Sequence, residues 1–258
     1  IAAPRRTAPD GVTYKSVLKT TGESYTNRTI DLRNNQLMEA TIEPATDEEI
    51  RNTIKVMGGE DWILWIKALK EAGVLADGAK TVAYSYIGPE LTYPIYKEGS
   101  IGQAKKDLYA SADKIQAEID GVEAYVSVNK AVVTQSSAAI PIVPLYLAIL
   151  FKVMKEQKVQ EGCIEQMYRM IHDRLCNGGA VVTDENRLIR MDDWEMEPKV
   201  QEAVAEIWQK IDQDNLEDVT DLDGYWQEFY EIFGFRINGV DYGADVDADV
   251  QIPSIAAE

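Results

Sequence analysis

The chain has 258 residues, 45% of them hydrophobic, enough to bury a full core as one large domain or two tightly joined parts. Its formal charge of −18 is uneven: residues 1–190 carry a net −2 and residues 191–258 a net −16, so the C-terminal quarter repels nucleic-acid phosphate. With one histidine and two cysteines, and no CxxC spacing, a His-based triad and a structural zinc site are excluded, so catalysis must run on Tyr, Lys, Ser/Thr or carboxylates.

Residues 1–45 are turn-rich and read as loop. Thr46 is positioned to cap a helix that opens with Asp47, Glu48 and Glu49 at the positive dipole end and stops at Gly58-Gly59. A second helix, from about 60 to 72, places Trp62, Trp65, Ile66 and Leu69 on one face, and both tryptophans are expected in the core. Residues 80–87 alternate as a strand with Val82, Tyr84 and Tyr86 on one side. A helix over 103–119 with the apolar stripe Leu108, Ala112, Ile115 and Ile119, then a strand over 123–128, completes a βαβ unit of a parallel sheet. Ligands bind at the carboxyl ends of such strands, where Tyr86 and the loop 129–136 both fall.

The apolar run 138–151 holds Pro141 and Pro144; it is too short and broken to span a membrane and reads as a buried, kinked helix. Further helices are expected over 163–175, which contains His172 as a structural or surface residue, and over 198–212 and 224–233. Cys163 and Cys176 are expected as buried free thiols of a reducing compartment. No secretory signal is visible, and the acidic end reads as a solvated or loosely docked tail. Its Asp-rich run lacks the Gly and terminal Glu of a calcium loop.

The richest stretch for chemistry is 83–108, AYSYIGPELTYPIYKEGSIGQAKKDL. Tyr86 and Tyr96 lie among glycines after a strand, and Lys105 sits in the first turns of a helix. A phenol that can hold developing negative charge, beside a cation able to contact a cofactor ribose, suits carbonyl-activated hydride transfer. Spacing alone is weak, since a tyrosine followed nine residues later by a lysine arises about once by chance in such a chain, and Tyr146/Lys155 repeats it where core packing is the better explanation. Helical geometry separates two neighbours: Lys105 lies roughly 50° from the apolar stripe and Lys106 about 150° away, so Lys105 leans inward.

At these motifs the sequence resembles the trans-2-enoyl-CoA reductases and the related FabV-type enoyl-ACP reductases. The matching blocks are KVMGGEDW (55–62), AYSYIGPELTYPIY (83–96), GSIGQAKKDL (99–108), VSVNKAVVTQSSAAIPIVPLY (126–146), EGCIEQM (161–167) and RMDDWEM (190–196), with Ser100 where the family has Thr. The resemblance implies an α/β fold: a partial Rossmann-like parallel sheet with helical additions, a catalytic region over 1–182, and a helical, acidic segment over 183–258. It also implies NADH-dependent reduction of the 2,3-double bond of an enoyl-CoA or enoyl-ACP in fatty acid synthesis. Tyr96 is then the proton-donating or enolate-stabilising tyrosine, its ionised or hydrogen-bonding form favoured by the lysine. Tyr86 touches the thioester, Lys105 meets the nicotinamide ribose, Val133, Thr134 and Gln135 line the cofactor, and Ile1 and Ala2 border it. No metal is implied; relatives are cytoplasmic in bacteria and mitochondrial in some eukaryotes. The flavin role described for the family's C-terminal part finds no phosphate cradle in residues 185–258.

The family also has an N-terminal dinucleotide-binding half with a Gly-rich turn, and no GxGxxG occurs here. The expectation is therefore a C-terminal fragment of about two-thirds of such an enzyme, inactive by itself. The alternative is a non-catalytic fragment that binds acyl-CoA or a protein partner.

Overall fold

A computed structural model of the chain describes residues 4–247 and 249. The expected N-terminal loop is instead two antiparallel hairpins. β1 (Arg5–Thr7) pairs with β2 (Thr13–Lys15), and β3 (Tyr25–Asp31) with β4 (Gln36–Ile42). Thr26, Thr29 and Ile30 favour extended backbone, and Asn35, at φ 54°, makes the left-handed residue of the four-residue turn. Strands with so few large apolar residues look like loop to a periodicity argument.

Helix α1 (Asp47–Met57) begins at the expected cap. Thr46 Oγ1 accepts from Glu49 N, and the Glu49 carboxylate accepts from Thr46 N at 2.9 Å. Between α1 and α2 (Glu60–Glu71), a Cβ at Gly59 would sit 2.2 Å from the Ser111 side chain, so glycine permits the close approach to the next helix. Trp62 and Ile66 face inward, and Trp62 Nε1 donates to Thr81 Oγ1 at 2.9 Å. Trp65 does not: it is 62% exposed, because the buried face of α2 is narrower than the apolar stripe in its sequence.

The βαβ unit is present. β5 (Ala79–Ser85) runs parallel to β6 (Val122–Val128), with α3 (Ser100–Glu118) crossing between them. Ile101, Ala104, Ala112 and Ile115 form the buried side of α3. Tyr84, expected on one strand face with Val82 and Tyr86, is 58% exposed on β5, the first strand in the sheet order.

Short α4 (Gln135–Ala138) leads to α5 (Val143–Glu156), whose residues Leu145–Phe151 are all fully or almost fully buried. The prolines do not kink it: Pro144 lies in the first turn, where no amide partner is lost. The chain turns into α5 at Ile142, a buried β-branched residue at φ 76°, whose N–H donates to Thr29 Oγ1. After α6 (Cys163–Arg169) the backbone widens into a π turn over Met170–Leu175. Both cysteines are exposed rather than buried, since each lies at an end of this helical stretch.

A third strand, β7 (Leu188–Arg190), was not anticipated; three residues carry no readable period, yet they extend the sheet in the order β5-β6-β7, all parallel. Helices α7 (Pro198–Lys210), α8 (Leu216–Val219) and α9 (Leu222–Glu231) follow, and α7 and α9 pack on α5. No helix among the described residues is long and apolar enough to cross a membrane.

Candidate active site at the carboxyl ends of the sheet

A parallel sheet delivers the residues after each of its strands to one edge. Here that edge receives Tyr86 after β5, Asn129 to Ala131 after β6, and Asp192 to Glu195 after β7. Tyr96 arrives from a tight turn after Glu90–Thr92, with its amide donating to Thr92 O. Tyr86 and Tyr96 meet edge to face, ring centroids 5.0 Å apart.

Lys105 reaches into the same cluster from the first turns of α3. Its ammonium donates to the Tyr86 carbonyl and lies 4.9 Å from the Tyr96 ring centroid and 5.8 Å from that of Tyr86. Lys106 stays in solvent, bonded to Gln103 Oε1 at 3.3 Å. Enclosure without a carboxylate partner pushes the Lys105 amine down to about 7. Burial first, and the Glu195 charge second, hold the Tyr96 phenol above its ordinary value. The lysine therefore does not favour an ionised phenol here: burial outweighs it, and Tyr96 keeps its proton. Its hydroxyl forms no hydrogen bond among the described residues, although the ring is 8% exposed.

Two residues that the sequence reading passed over complete the cluster. Glu195 is fully buried; its Oε1 accepts from Tyr86 Oη at 2.9 Å and from Tyr146 Oη at 2.6 Å, and its Oε2 from Ala131 N at 2.7 Å. Tyr146, assigned above to core packing, does pack in the core, but its hydroxyl belongs to this network. Lys155, its nine-residue partner, lies elsewhere and pairs with Asp221 at 2.5 Å. Burial pushes the Glu195 carboxyl up while its donors and Lys130 pull it back. It also raises Tyr86 and Tyr146 well above a normal phenol. The available signal was local: Glu195 sits in MDDWEM between apolar Trp194 and Met196, a pattern unlike the solvated acids that follow.

The turn holding Glu195 is clamped by arginines. Arg169 donates to Glu161, to Asp193 and to Met191 O, with its guanidinium 4.1 Å above the Trp194 ring. Arg174 bonds Asp193, and Arg190 grips buried Asp192 with two hydrogen bonds.

The expected cofactor-lining loop is less uniform. Val133 is buried in the main core, whereas Thr134 and Gln135 are exposed. The Thr134 hydroxyl accepts from Ser137 N and caps α4. Ile1 and Ala2 lie outside the described residues. The Lys105 ammonium and the Tyr96 hydroxyl offer polar hydrogens of the kind the ribose hydroxyls of NADH accept, in an enclosed setting whose nearby charge is Glu195. The start of α3 is closed to a phosphate: Ser100 N donates to Lys19 O, and a Cβ at Gly102 would collide with Lys97 O.

Residues 1–176 match the family model described as the trans-2-enoyl-CoA reductase catalytic region, and residues 183–246 the one described as the enoyl reductase FAD binding domain. The described residues of the latter do not fit a flavin. The Asp221 carboxylate caps the start of α9 on Gly224 N and, with Lys155, fills the space a phosphate cradle would need; Glu197 precedes α7. The trans-2-enoyl-CoA reductase [NADH] of Ruminiclostridium cellulolyticum is 53% identical over 99% of this chain and 65% of its own length. The enoyl-[acyl-carrier-protein] reductase [NADH] of Cytophaga hutchinsonii is 52% identical over the same shares. The crystal structure of Treponema denticola trans-2-enoyl-CoA reductase in complex with NAD superposes with a TM-score of 0.91 at 49% identity, over 95% of this chain and 62% of that one. The chain thus spans just under two-thirds of the length of these relatives. Matched along nearly all of its residues and keeping Tyr86, Tyr96 and Lys105 together at one sheet edge, the chain belongs to the trans-2-enoyl-CoA reductase family.

Proposed function

We propose that the protein carrying this chain reduces the 2,3-double bond of a trans-2-enoyl thioester with NADH. One observation carries the reading: Tyr96 is a buried, protonated phenol whose hydroxyl has no hydrogen-bond partner among the described residues, packed against an enclosed lysine. NADH, when bound, supplies a hydride to Cβ, and the electron pair of the double bond moves onto the thioester oxygen. The Tyr96 hydroxyl then donates a hydrogen bond to that oxygen, and a proton delivered to Cα completes the saturated acyl thioester. Lys105 serves as donor to the nicotinamide ribose and orients the Tyr96 ring from below. Tyr86 borders the thioester, Val133, Thr134 and Gln135 approach the cofactor from the loop after β6, and Ile1 and Ala2 border it. In this reading residues 1–182 are the catalytic region and residues 183–258 a helical, acidic segment that completes it through Glu195. Relatives named for the coenzyme A and for the acyl-carrier-protein substrates are equally similar, so both carriers fit.

The test is NADH oxidation with a short trans-2-enoyl-CoA, run on this chain alone and on a chimera joining it to the remaining third of the Ruminiclostridium cellulolyticum relative. The expected outcome is substrate-dependent oxidation by the chimera that is lost with Tyr96→Phe. A folded chimera that binds NADH yet leaves the enoyl thioester unchanged would overturn the reading.

A further inference from the structure

A phenol has one proton to donate, and where it points decides what the phenol can do. Tyr86 and Tyr96 stand edge to face, at first sight two interchangeable donors for one substrate oxygen. Their surroundings make them opposites. The Tyr86 proton is directed onto Glu195 Oε1 at 2.9 Å and the Tyr146 proton onto the same oxygen at 2.6 Å, while Ala131 N–H holds Oε2 at 2.7 Å. Three donors converge on the carboxyl group, the pattern of a carboxylate; 2.6 Å falls in the range of a charge-assisted O–H···O⁻ bond. Tyr96 has no such partner among the described residues.

We propose that Glu195 is a positioning residue, which takes up the hydroxyl protons of Tyr86 and Tyr146 so that Tyr96 alone offers a proton to the substrate oxygen. The proposal rests on the enoyl reduction argued above. Tyr86 then presents only oxygen lone pairs to the site. Those lone pairs repel the negative charge that develops on the thioester oxygen and steer it to Tyr96, so the two tyrosines act as a selector rather than as a redundant pair.

The rest of the neighbourhood fits a fixed anion at this point. Glu195 belongs to the turn after β7, held by Arg169, Arg174 and Arg190 through Asp192 and Asp193, so its direction is set from outside the cluster. Gln201 of α7 donates both to the Glu195 carbonyl at 2.7 Å and to Tyr146 Oη at 3.2 Å, so the Tyr146 oxygen already accepts from Gln201 while its proton is directed at Glu195. Buried Lys130 is the nearby cation, yet it does not neutralise Glu195 directly: its ammonium donates to Ala131 O and lies 5.2 Å from the Phe151 ring centroid.

Glu195→Gln tests this with almost no change of volume. The amide can satisfy Ala131 N–H only with its oxygen, which turns its NH₂ toward the tyrosines and reverses both hydrogen bonds. The Tyr86 proton is then released into the site. In the chimera described above, kcat is expected to fall about tenfold or more, with KM for NADH and the melting temperature nearly unchanged. On a Tyr86→Phe, Tyr146→Phe background the same substitution should change kcat less than about twofold, because the groups it acts through are gone. A second arm needs no turnover. Slowly exchanging hydroxyl-proton NMR resonances of Tyr86 and Tyr146 should be shifted far downfield in the wild type and move upfield in Glu195→Gln. If the wild type lacks enoyl reduction, the proposed function fails, and this arm alone decides the hydrogen-bond assignment. Unmoved Tyr86 and Tyr146 resonances, or an unchanged kcat in an active enzyme, would overturn the proposal.

Discussion

The carboxyl-end cluster and the acidic C-terminal stretch use charge in opposite ways. Around the sheet edge Glu195, Lys105 and Lys130 are enclosed; burial raises the carboxyl and the phenols of Tyr86, Tyr96 and Tyr146 and lowers both amines, and the Glu195 charge adds to the rise in the phenols. Beyond α9, Asp241, Asp245 and Asp247 face water; the Asp241 carboxylate accepts from the amide of Gly243 and the Asp247 carboxylate from that of Asp249. Screening makes each exposed charge energetically minor, whereas one charge in a poorly hydrated site acts on every neighbour. The number of acids in a segment therefore says little about where its chemistry lies.

Substitutions can break or sharpen that contrast. The largest effect belongs beneath the cluster. Leu147→Ala, at a fully buried position of α5, should cost about 2–5 kcal/mol in denaturant unfolding, whereas Val246→Ala, at a site 81% exposed, should stay within about 0.5 kcal/mol. Equal costs would mean the C-terminal stretch is part of the core. Next, Tyr96→Phe should lower turnover by about 10²-fold or more with NADH affinity intact, as loss of an oxyanion donor does. Tyr84→Phe on the exposed side of β5 should leave turnover as it was. Smaller still, Lys105→Ala should weaken NADH binding about tenfold through lost hydrogen bonds to a charged group, with Lys106→Ala neutral; equal dissociation constants for the two variants would defeat the helix-face argument.

The smallest effect is a slope. Folded Lys105 loses its proton near pH 7, while in the unfolded chain it holds it to about 10.5. Between those values the unfolded state binds more protons, so stability rises with pH. Wild type should therefore gain on Lys105→Met from pH 7 upward, and the gap should be constant below pH 7. Melting curves of both proteins across that range give the sign directly.

Much of the frame was legible in the residues. The Thr46 cap, the βαβ unit, the buried side of α3 and the inward lean of Lys105 all follow from local periodicity, and local periodicity was enough. The N-terminal hairpins escaped because β3 and β4 bury only a few side chains, and β7 because three residues show no period. Trp65 went wrong because an apolar side chain states a preference, and only the packed neighbour decides whether it is met. The missing half of the site, Glu195 and Tyr146, lies 49 residues apart in sequence and meets only through the sheet and α5. No spacing rule links them. The chemistry of 83–108 could be read because its partners are adjacent in the chain; the groups that orient it could not.

The most direct measurement places hydrogen atoms in the product. A trans-2-enoyl-CoA is reduced with unlabelled NADH in deuterated water, by the wild-type chimera and by its Tyr96→Phe variant, and the saturated thioester is examined by mass spectrometry and NMR. The account predicts one deuterium at Cα and none at Cβ in the wild type, and the same pattern formed about 10²-fold more slowly in the variant. Deuterium at Cβ, or a Tyr96→Phe variant as fast as the wild type, would contradict it.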